Sequence, residues 1–230
     1  SFVVLKDVAK RWNGQLGVED ISLEIEEGSF VALLGASGCG KSTSLRLLAG
    51  LEIPDEGKIY IDGIDVTTSA ASDRNLSMVF QSYALFPHLS VAENVIFGLK
   101  VRKVPKAERN EKMARALSIT GLEGLEGRKP GELSGGQRQR VALARAIVAG
   151  QRLCLMDEPL SNLDAKLRSS VRKDIKKLHR DLGITVVYVT HDQTEAMSMA
   201  DKVVLMKDGR IQQIGTPNEL YNHPENTFVA

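Results

Sequence analysis

Two hydrophobic rhythms divide this chain. Short, nearly continuous apolar runs, each the length of one buried strand, occur at Phe30-Val31-Ala32-Leu33-Leu34, Leu76-Ser77-Met78-Val79-Phe80, Leu153-Cys154-Leu155-Met156 and Thr185-Val186-Val187-Tyr188-Val189. Helical periods follow two of them. Leu45, Leu48 and Ala49 recur on one face before Gly50, and Leu167, Val171, Ile175, Leu178 and Leu182 step by three or four before Gly183. Strands linked by helices in this way predict an α/β fold with a parallel sheet.

Strand-like alternation marks other stretches. Val3, Leu5 and Val8, then Ile21, Leu23 and Ile25, then Ile59 and Ile61 predict a small antiparallel layer. Residues 90 to 122 read as helical, with Ser90 and Glu93 spaced as a capping box and Pro105 opening a second helix. On that second helix Met113, Ala116, Leu117 and Thr120 share a face, and Glu108 with Lys112 and Glu111 with Arg115 are spaced as solvent-side pairs. Asp208-Gly209 predicts a hairpin between Val203–Met206 and Ile211–Ile214, and Thr216-Pro217 opens a short last helix. The expectation is one domain over 1–230, with 1–86 and 151–230 forming the core and its antiparallel layer and 87–150 forming an inserted helical subdomain.

Between the first buried strand and its helix stands Gly35-Ala36-Ser37-Gly38-Cys39-Gly40-Lys41-Ser42, which fits Gly, four residues, then Gly-Lys-Ser. Glycines let successive N–H groups approach phosphate oxygens, and the helix dipole adds positive potential there. Lys41 supplies a point charge to the β- and γ-phosphates, Ser42 is placed to ligate magnesium, and Thr43 is a further phosphate contact. Strand 153–157 ends in Asp157-Glu158, which beside a phosphate loop reads as a magnesium-supporting carboxylate and a general base, and in isolation as a plain turn. Gln81 and His191 follow the ends of two further strands, where an open sheet presents ligand contacts. Asp192 and Glu195 have the spacing of a helix cap.

Three features admit two readings. Ser134 and Gln137 have capping-box spacing, yet the adjacent Gly135 and Gly136 bare a helix start as an anion site would. Trp12 is suited to stacking on adenine or to half-covering the sheet. Phe80, Tyr83 and Phe86 suit a partner surface or a core corner.

Composition narrows the function classes. Lys+Arg of 30 against Asp+Glu of 29 gives a net charge of +1, so no global field favours nucleic acid. Two cysteines, Cys39 and Cys154, make no disulfide framework and read as buried thiols of a reducing compartment. No apolar run reaches the roughly 18 residues of a membrane span, and no signal-peptide pattern opens the chain, which predicts a soluble, non-exported protein. His88, His179 and His223 lack chemical context and read as surface or packing residues.

In this order, Leu133-Ser134-Gly135-Gly136-Gln137 ahead of Asp157-Glu158 makes the chain resemble, over essentially all its length, the nucleotide-binding subunits of ATP-binding-cassette transporters. The resemblance implies a P-loop NTPase, RecA-like core. It implies that Trp12 stacks on adenine, that Ser37, Gly38, Cys39, Gly40, Lys41, Ser42 and Thr43 hold the phosphates, and that ATP and Mg2+ are the cofactors. It further implies that Gln81 senses the γ-phosphate and magnesium, Asp157 supports the metal, Glu158 polarises the water, and His191 holds water and γ-phosphate. The Ser161-Asn162-Leu163-Asp164 loop would cross to a second subunit, a homodimer or paired cassette, whose Ser134–Gln137 segment closes on this chain's ATP. Glu158–Arg168 and Thr190–Ala196 resemble the bacterial importer branch serving sugars, glycerol phosphate and similar solutes. That branch implies membrane permease subunits, a solute-binding protein upstream, a place on the cytoplasmic face of the inner membrane, and a regulatory β-domain that would begin where this sequence stops at Ala230. The competing expectation is a soluble cassette ATPase acting on nucleic acid or ribosomes. Its usual coiled coils, fused second cassettes and basic tracts are missing here.

Overall fold

In the computed structural model, which describes residues 1–230, the N-terminal alternation becomes β1 (Val3–Trp12) and β2 (Gln15–Ile25), paired antiparallel with Val3 opposite Ile25 and Leu5 opposite Leu23. The next strand, β3 (Phe30–Leu34), is buried at every residue, as a strand covered on both faces must be. Across Gly35–Gly40 it leads into α1 (Lys41–Ala49), which Gly50 ends in the left-handed region at φ +76°. The carbonyls of Leu47 and Leu48 at that end accept bonds of 2.8 and 3.0 Å from buried Arg74. β4 (Glu56–Ile61) and β5 (Ile64–Asp65) complete the antiparallel layer in the order β2-β1-β4-β5.

After β6 (Leu76–Val79) come three helices, α2 (Val91–Val101), α3 (Lys106–Thr120) and α4 (Gly135–Val148). Ser90 caps α2 through the expected box with Glu93. On α3 the Glu108–Lys112 pair forms at 2.7 Å, whereas the expected Glu111–Arg115 pair does not. Both of its members are exposed, where ion pairing gains little against side-chain freedom. The chain then returns through β7 (Leu153–Asp157), α5 (Ala165–Leu182), β8 (Thr185–Thr190), α6 (Gln193–Met199), β9 (Lys202–Lys207), β10 (Arg210–Gly215) and α7 (Pro217–Asn222). No helix is long and apolar enough to cross a membrane.

The larger sheet runs β10-β9-β3-β8-β7-β6, parallel except for the β9–β10 hairpin. Its strands alternate between two cores. Val187, Val189, Leu153 and Leu155 pack toward α1 and the antiparallel layer, while Val186, Tyr188, Cys154 and Met156 pack toward α4 and α5. A third core lies within α2–α4. Helix α4 serves two of them, giving Ala142, Leu143 and Ala146 to the sheet side and Val141, Ala144 and Val148 to the helical side. The inserted helices are thereby fixed to the sheet through α4.

Candidate active site

The carboxyl ends of β3, β6, β7 and β8 share one edge of the sheet, and each releases a predicted site residue there. From β3 comes the phosphate loop. Gly40 has φ +102°, and a Cβ there would lie 2.9 Å from the Gly17 carbonyl oxygen and 2.6 Å from Val18 Cγ1. Glycine is therefore required both by conformation and by space. The Gly209 N–H donates to the Cys39 carbonyl at 3.0 Å, and the Glu19 N–H donates to the Gly209 carbonyl at 2.8 Å. The loop is clamped between β2 and the β9–β10 turn, with Arg11 and Arg210 both paired to Glu19 across the clamp.

The loop's donors remain available. The N–H groups of Gly38, Gly40, Lys41, Ser42 and Thr43 have no partner within the chain. Lys41 is 3% exposed and donates from Nζ to the carbonyls of Gly35 and Ala36, both at 2.8 Å. No acidic residue stands in the first turn of α1, so dipole, amides and ammonium all favour an anion. Ser37 and Gly38 are exposed, Thr43 is half-buried, and Cys39 is a buried free thiol.

Ser42 Oγ donates to Asp157 Oδ1 at 2.8 Å, joining the phosphate loop to the end of β7. Desolvation raises the Asp157 pKa, with the Ser42 hydrogen bond opposing it. A hydroxyl and a carboxylate are hard oxygen donors, and no cluster of three or more His, Cys, Asp or Glu side chains adds to them. Such a pair suits a magnesium ion that takes its other ligands from phosphate and water.

Glu158 sits at φ +42°, a conformation uncommon for a non-glycine residue. It is held by its N–H bond to the Val189 carbonyl and by Ser161, whose Oγ donates to the Glu158 carbonyl at 3.0 Å. The turn brings its carboxylate to His191, whose Nδ1 lies 3.1 Å from Glu158 Oε2. With a carboxylate as acceptor, Nδ1 carries the proton and Nε2 is left for another partner. Gln81 joins from β6, its Nε2 donating to Ser161 Oγ at 3.2 Å, while Asn162 donates to the Gln81 carbonyl at 2.9 Å. Lys41, Ser42, Asp157, Glu158, His191 and Gln81 thus belong to one connected edge.

The start of α4 belongs to another place. Ser134 and Gln137 form the reciprocal capping box, and no hydrogen bond or ion pair joins them to the phosphate loop. A Cβ on Gly136 would lie 2.7 Å from Leu167 Cδ1, so packing against α5 accounts for that glycine. A Cβ on Gly135 would meet only Leu163 Cδ2 at an ordinary 3.4 Å, so packing does not account for this one. Asp164 caps α5 through the Leu167 N–H at 3.0 Å. Trp12 ends β1, 40% exposed, and its ring lies over Gly17, where a Cβ would be 2.3 Å from Cζ3. The ring therefore covers the sheet beside the loop clamp and keeps an open face.

Of the aromatic trio, Tyr83 is core: it is buried, and its hydroxyl has no hydrogen-bond partner. Phe86 instead stacks on Phe97 at 4.4 Å beside a cavity of about 370 Å³ that Phe80 also lines. Arg145 of α4 donates at 2.7 Å to the carbonyls of both Tyr83 and Ala84, which occupy positive φ. Asp192 caps α6 as expected, but the Glu195 carboxylate turns inward instead of completing a box. Sequence reasoning missed Gly17 and Arg145, and read Gly209 only as a hairpin turn and Asn162 only as part of a crossing loop, because their roles depend on contacts between segments far apart in the chain. Only the unusual glycines gave a local signal.

A family model described as ABC transporter matches residues 18–161. The Fe(3+) ions import ATP-binding protein FbpC of Vibrio cholerae is 54% identical over 230 residues, all of this chain and 66% of that protein. The oligosaccharides import ATP-binding protein MsmX of Bacillus subtilis is 57% identical over 213 residues, 93% of this chain and 58% of that protein. The chain thus spans less than two thirds of the length of these curated relatives. Among solved structures, an ATP-binding cassette described as a dimer in a post-hydrolysis state bound to ADP and phosphate superposes with a TM-score of 0.80 at 34% identity, covering 94% of this chain and 98% of that one.

Proposed function

The chain belongs to the ABC transporter family, and from that premise we propose that it hydrolyses ATP as a head-to-tail dimer to drive solute import through membrane permease subunits. The observation that carries the reading is the connected edge, where Ser42 meets Asp157 at 2.8 Å and Glu158 meets His191 at 3.1 Å around an amide-lined anion site.

ATP enters with its phosphates against the free amides of the loop, and Lys41 exchanges the Gly35 and Ala36 carbonyls for phosphate oxygens. Trp12 offers its open face to adenine. Ser42 and Asp157, with Gln81 nearby, would hold Mg2+, which when bound neutralises charge on the β- and γ-phosphates. Glu158 takes a proton from the attacking water, whose oxygen bonds to the γ-phosphorus as the bond to the ADP oxygen breaks. His191, oriented through Nδ1 by Glu158, turns its Nε2 lone pair to the attacking water that lies against the γ-phosphate. The bared α4 start of a second copy covers that phosphate from the other side, and the Asp164 loop crosses the interface. Loss of the bridge reopens the pair.

The Phe80–Phe86–Phe97 cavity offers the permease an apolar seat next to Gln81. Relatives this alike are named for iron and for oligosaccharides, which supports the reading that solute choice lies in other subunits, among them a solute-binding protein. Their import names also disfavour the nucleic-acid or ribosome alternative.

The test is Mg2+-dependent hydrolysis against protein concentration, with light scattering, for wild type and Glu158→Gln. Specific activity should rise with concentration, and Glu158→Gln should bind ATP as a stable dimer while turning over at least about 10²-fold more slowly. Constant specific activity, or a fully active Glu158→Gln, would overturn the shared site or the assigned base respectively.

A further inference from the structure

Beneath His191 lies a network that capping alone does not require. Glu195 is 4% exposed, and its Oε2 accepts from Tyr188 Oη at 2.9 Å and from Thr190 Oγ1 at 2.7 Å. Thr190 Oγ1 in turn accepts from the Asp192 N–H at 2.9 Å, while Asp192 Oδ1 accepts from the N–H groups of Thr194 and Glu195 at 2.7 and 3.2 Å. The residues on either side of His191 are therefore both tied to one buried carboxylate.

Arg168 links this network to the loop carrying Asp164. It lies one turn into α5, where its N–H bonds the Asp164 carbonyl at 2.8 Å and its Nη2 donates to the Leu163 carbonyl at 3.2 Å. The same guanidinium reaches the other way, with Nη1 3.6 Å from Asp192 Oδ2 and Nε 3.9 Å from Glu195 Oε1. Nε is buried with no hydrogen-bond partner, and Glu195 Oε1 accepts no hydrogen bond either. A buried donor left unsatisfied is costly, and a shift of about 1 Å would bring Nε to bonding distance of that carboxylate oxygen.

We propose that Arg168 is a positioning residue for ATP hydrolysis: its planar fork, held between the Leu163 carbonyl and the carboxylates of Asp192 and Glu195, sets the Asp164 loop and His191 in register. The Nε–Glu195 bond closes when the second copy presses on the loop. Lysine, a single point charge, holds one side of the fork at a time. The proposal rests on the reading that His191 and the Asp164 loop serve hydrolysis.

The experiment compares steady-state ATP hydrolysis by the whole chain, wild type against Arg168→Gln, Arg168→Lys, Glu195→Gln and the double variant Arg168→Gln/Glu195→Gln, with His191→Ala as reference. Arg168→Gln should lower kcat at least tenfold while KM for ATP stays within twofold, and the double variant should be no slower than the slower single one. Arg168→Lys should recover part of kcat, and it retains the charge should Arg168→Gln melt below the assay temperature. A His191→Ala variant with wild-type turnover would refute the reading of the site and this proposal with it. With His191→Ala inactive, the positioning role alone falls if Arg168→Gln keeps its kcat, if its loss lies wholly in KM, or if the two single effects multiply.

Discussion

Adding one methyl group at Gly135 separates a folding role from a partner-facing one. Gly135 is the first residue of α4, and the added Cβ would meet only Leu163 Cδ2 at 3.4 Å, ordinary contact. Alanine loses less backbone freedom than glycine on entering a helix, so Gly135→Ala should stabilise the chain by about 0.5 kcal/mol. For a chain of this length that raises the melting temperature by roughly 1–2 °C. Under the proposed mechanism the same methyl projects where a second copy's γ-phosphate docks, displacing it from the bared amides. Removing such a contact costs about 10²-fold or more in turnover. Gly136→Ala is the contrast, because its Cβ would press within 2.7 Å of Leu167 Cδ1 and should lower both stability and activity. Melting by circular dichroism and hydrolysis at saturating ATP supply the two readouts. A Gly135→Ala variant that hydrolyses ATP at the wild-type rate, or melts lower than wild type, would refute the reasoning.

Three further outcomes follow from single groups. Burial raises the Asp157 pKa above its unfolded value of 3.8, so the folded chain binds more protons between the two values and stability falls as pH rises through that window. Asp157→Asn should therefore melt higher than wild type at pH 7 without nucleotide, lose this advantage below about pH 4 where the free carboxyl also protonates, and fail to hydrolyse ATP; a lower melting point at pH 7 would contradict the sign. Tyr83→Phe removes a buried hydroxyl without a partner and should gain about 1 kcal/mol, seen as a higher midpoint in urea, with hydrolysis unchanged. Phe86→Ala, on the cavity wall, should abolish transport in reconstituted vesicles while hydrolysis by the isolated chain persists; loss of both would deny the cavity a coupling role.

The parts legible in the sequence are those whose cause is local. Apolar period placed β3, β7 and β8 because both faces of each are covered, and capping chemistry placed the starts of α2 and α4 because each box closes within four residues, while Thr216-Pro217 placed that of α7 because proline suits a first helical position. The phosphate loop was legible for the same reason, since glycine is needed where the backbone turns left-handed. What stayed hidden is long-range. Nothing near Gly209 in sequence announces that its N–H steadies Cys39, and nothing near Arg145 announces that it fastens the Tyr83–Ala84 turn. Glu195 shows how a local rule can mislead: its spacing from Asp192 suits a capping box, yet buried Tyr188 and Thr190 hydroxyls compete for the same carboxylate and win. A buried donor left unsatisfied costs more than an exposed cap bond gains.

Free donors at two separate helix starts support the proposed need for a second copy of the chain. Two helix starts leave N–H groups without partners, α1 at Lys41, Ser42 and Thr43 and α4 at Gly135 and Gly136, and no bond connects one start to the other. The α4 start is fixed by contacts of its own, with Leu163 and Leu167 on one side and two hydrophobic cores along the helix. Bringing the two starts together within one copy would mean breaking those cores. Two copies related by a twofold axis would meet the need with those cores intact, because whatever α4 of the first offers the loop of the second is offered in return. Under the proposed mechanism such a contact forms twice, so each closed pair would hold two ATP molecules. Each ATP would then contribute to the interface only while its γ-phosphate spans it, and hydrolysis would make the closed state temporary.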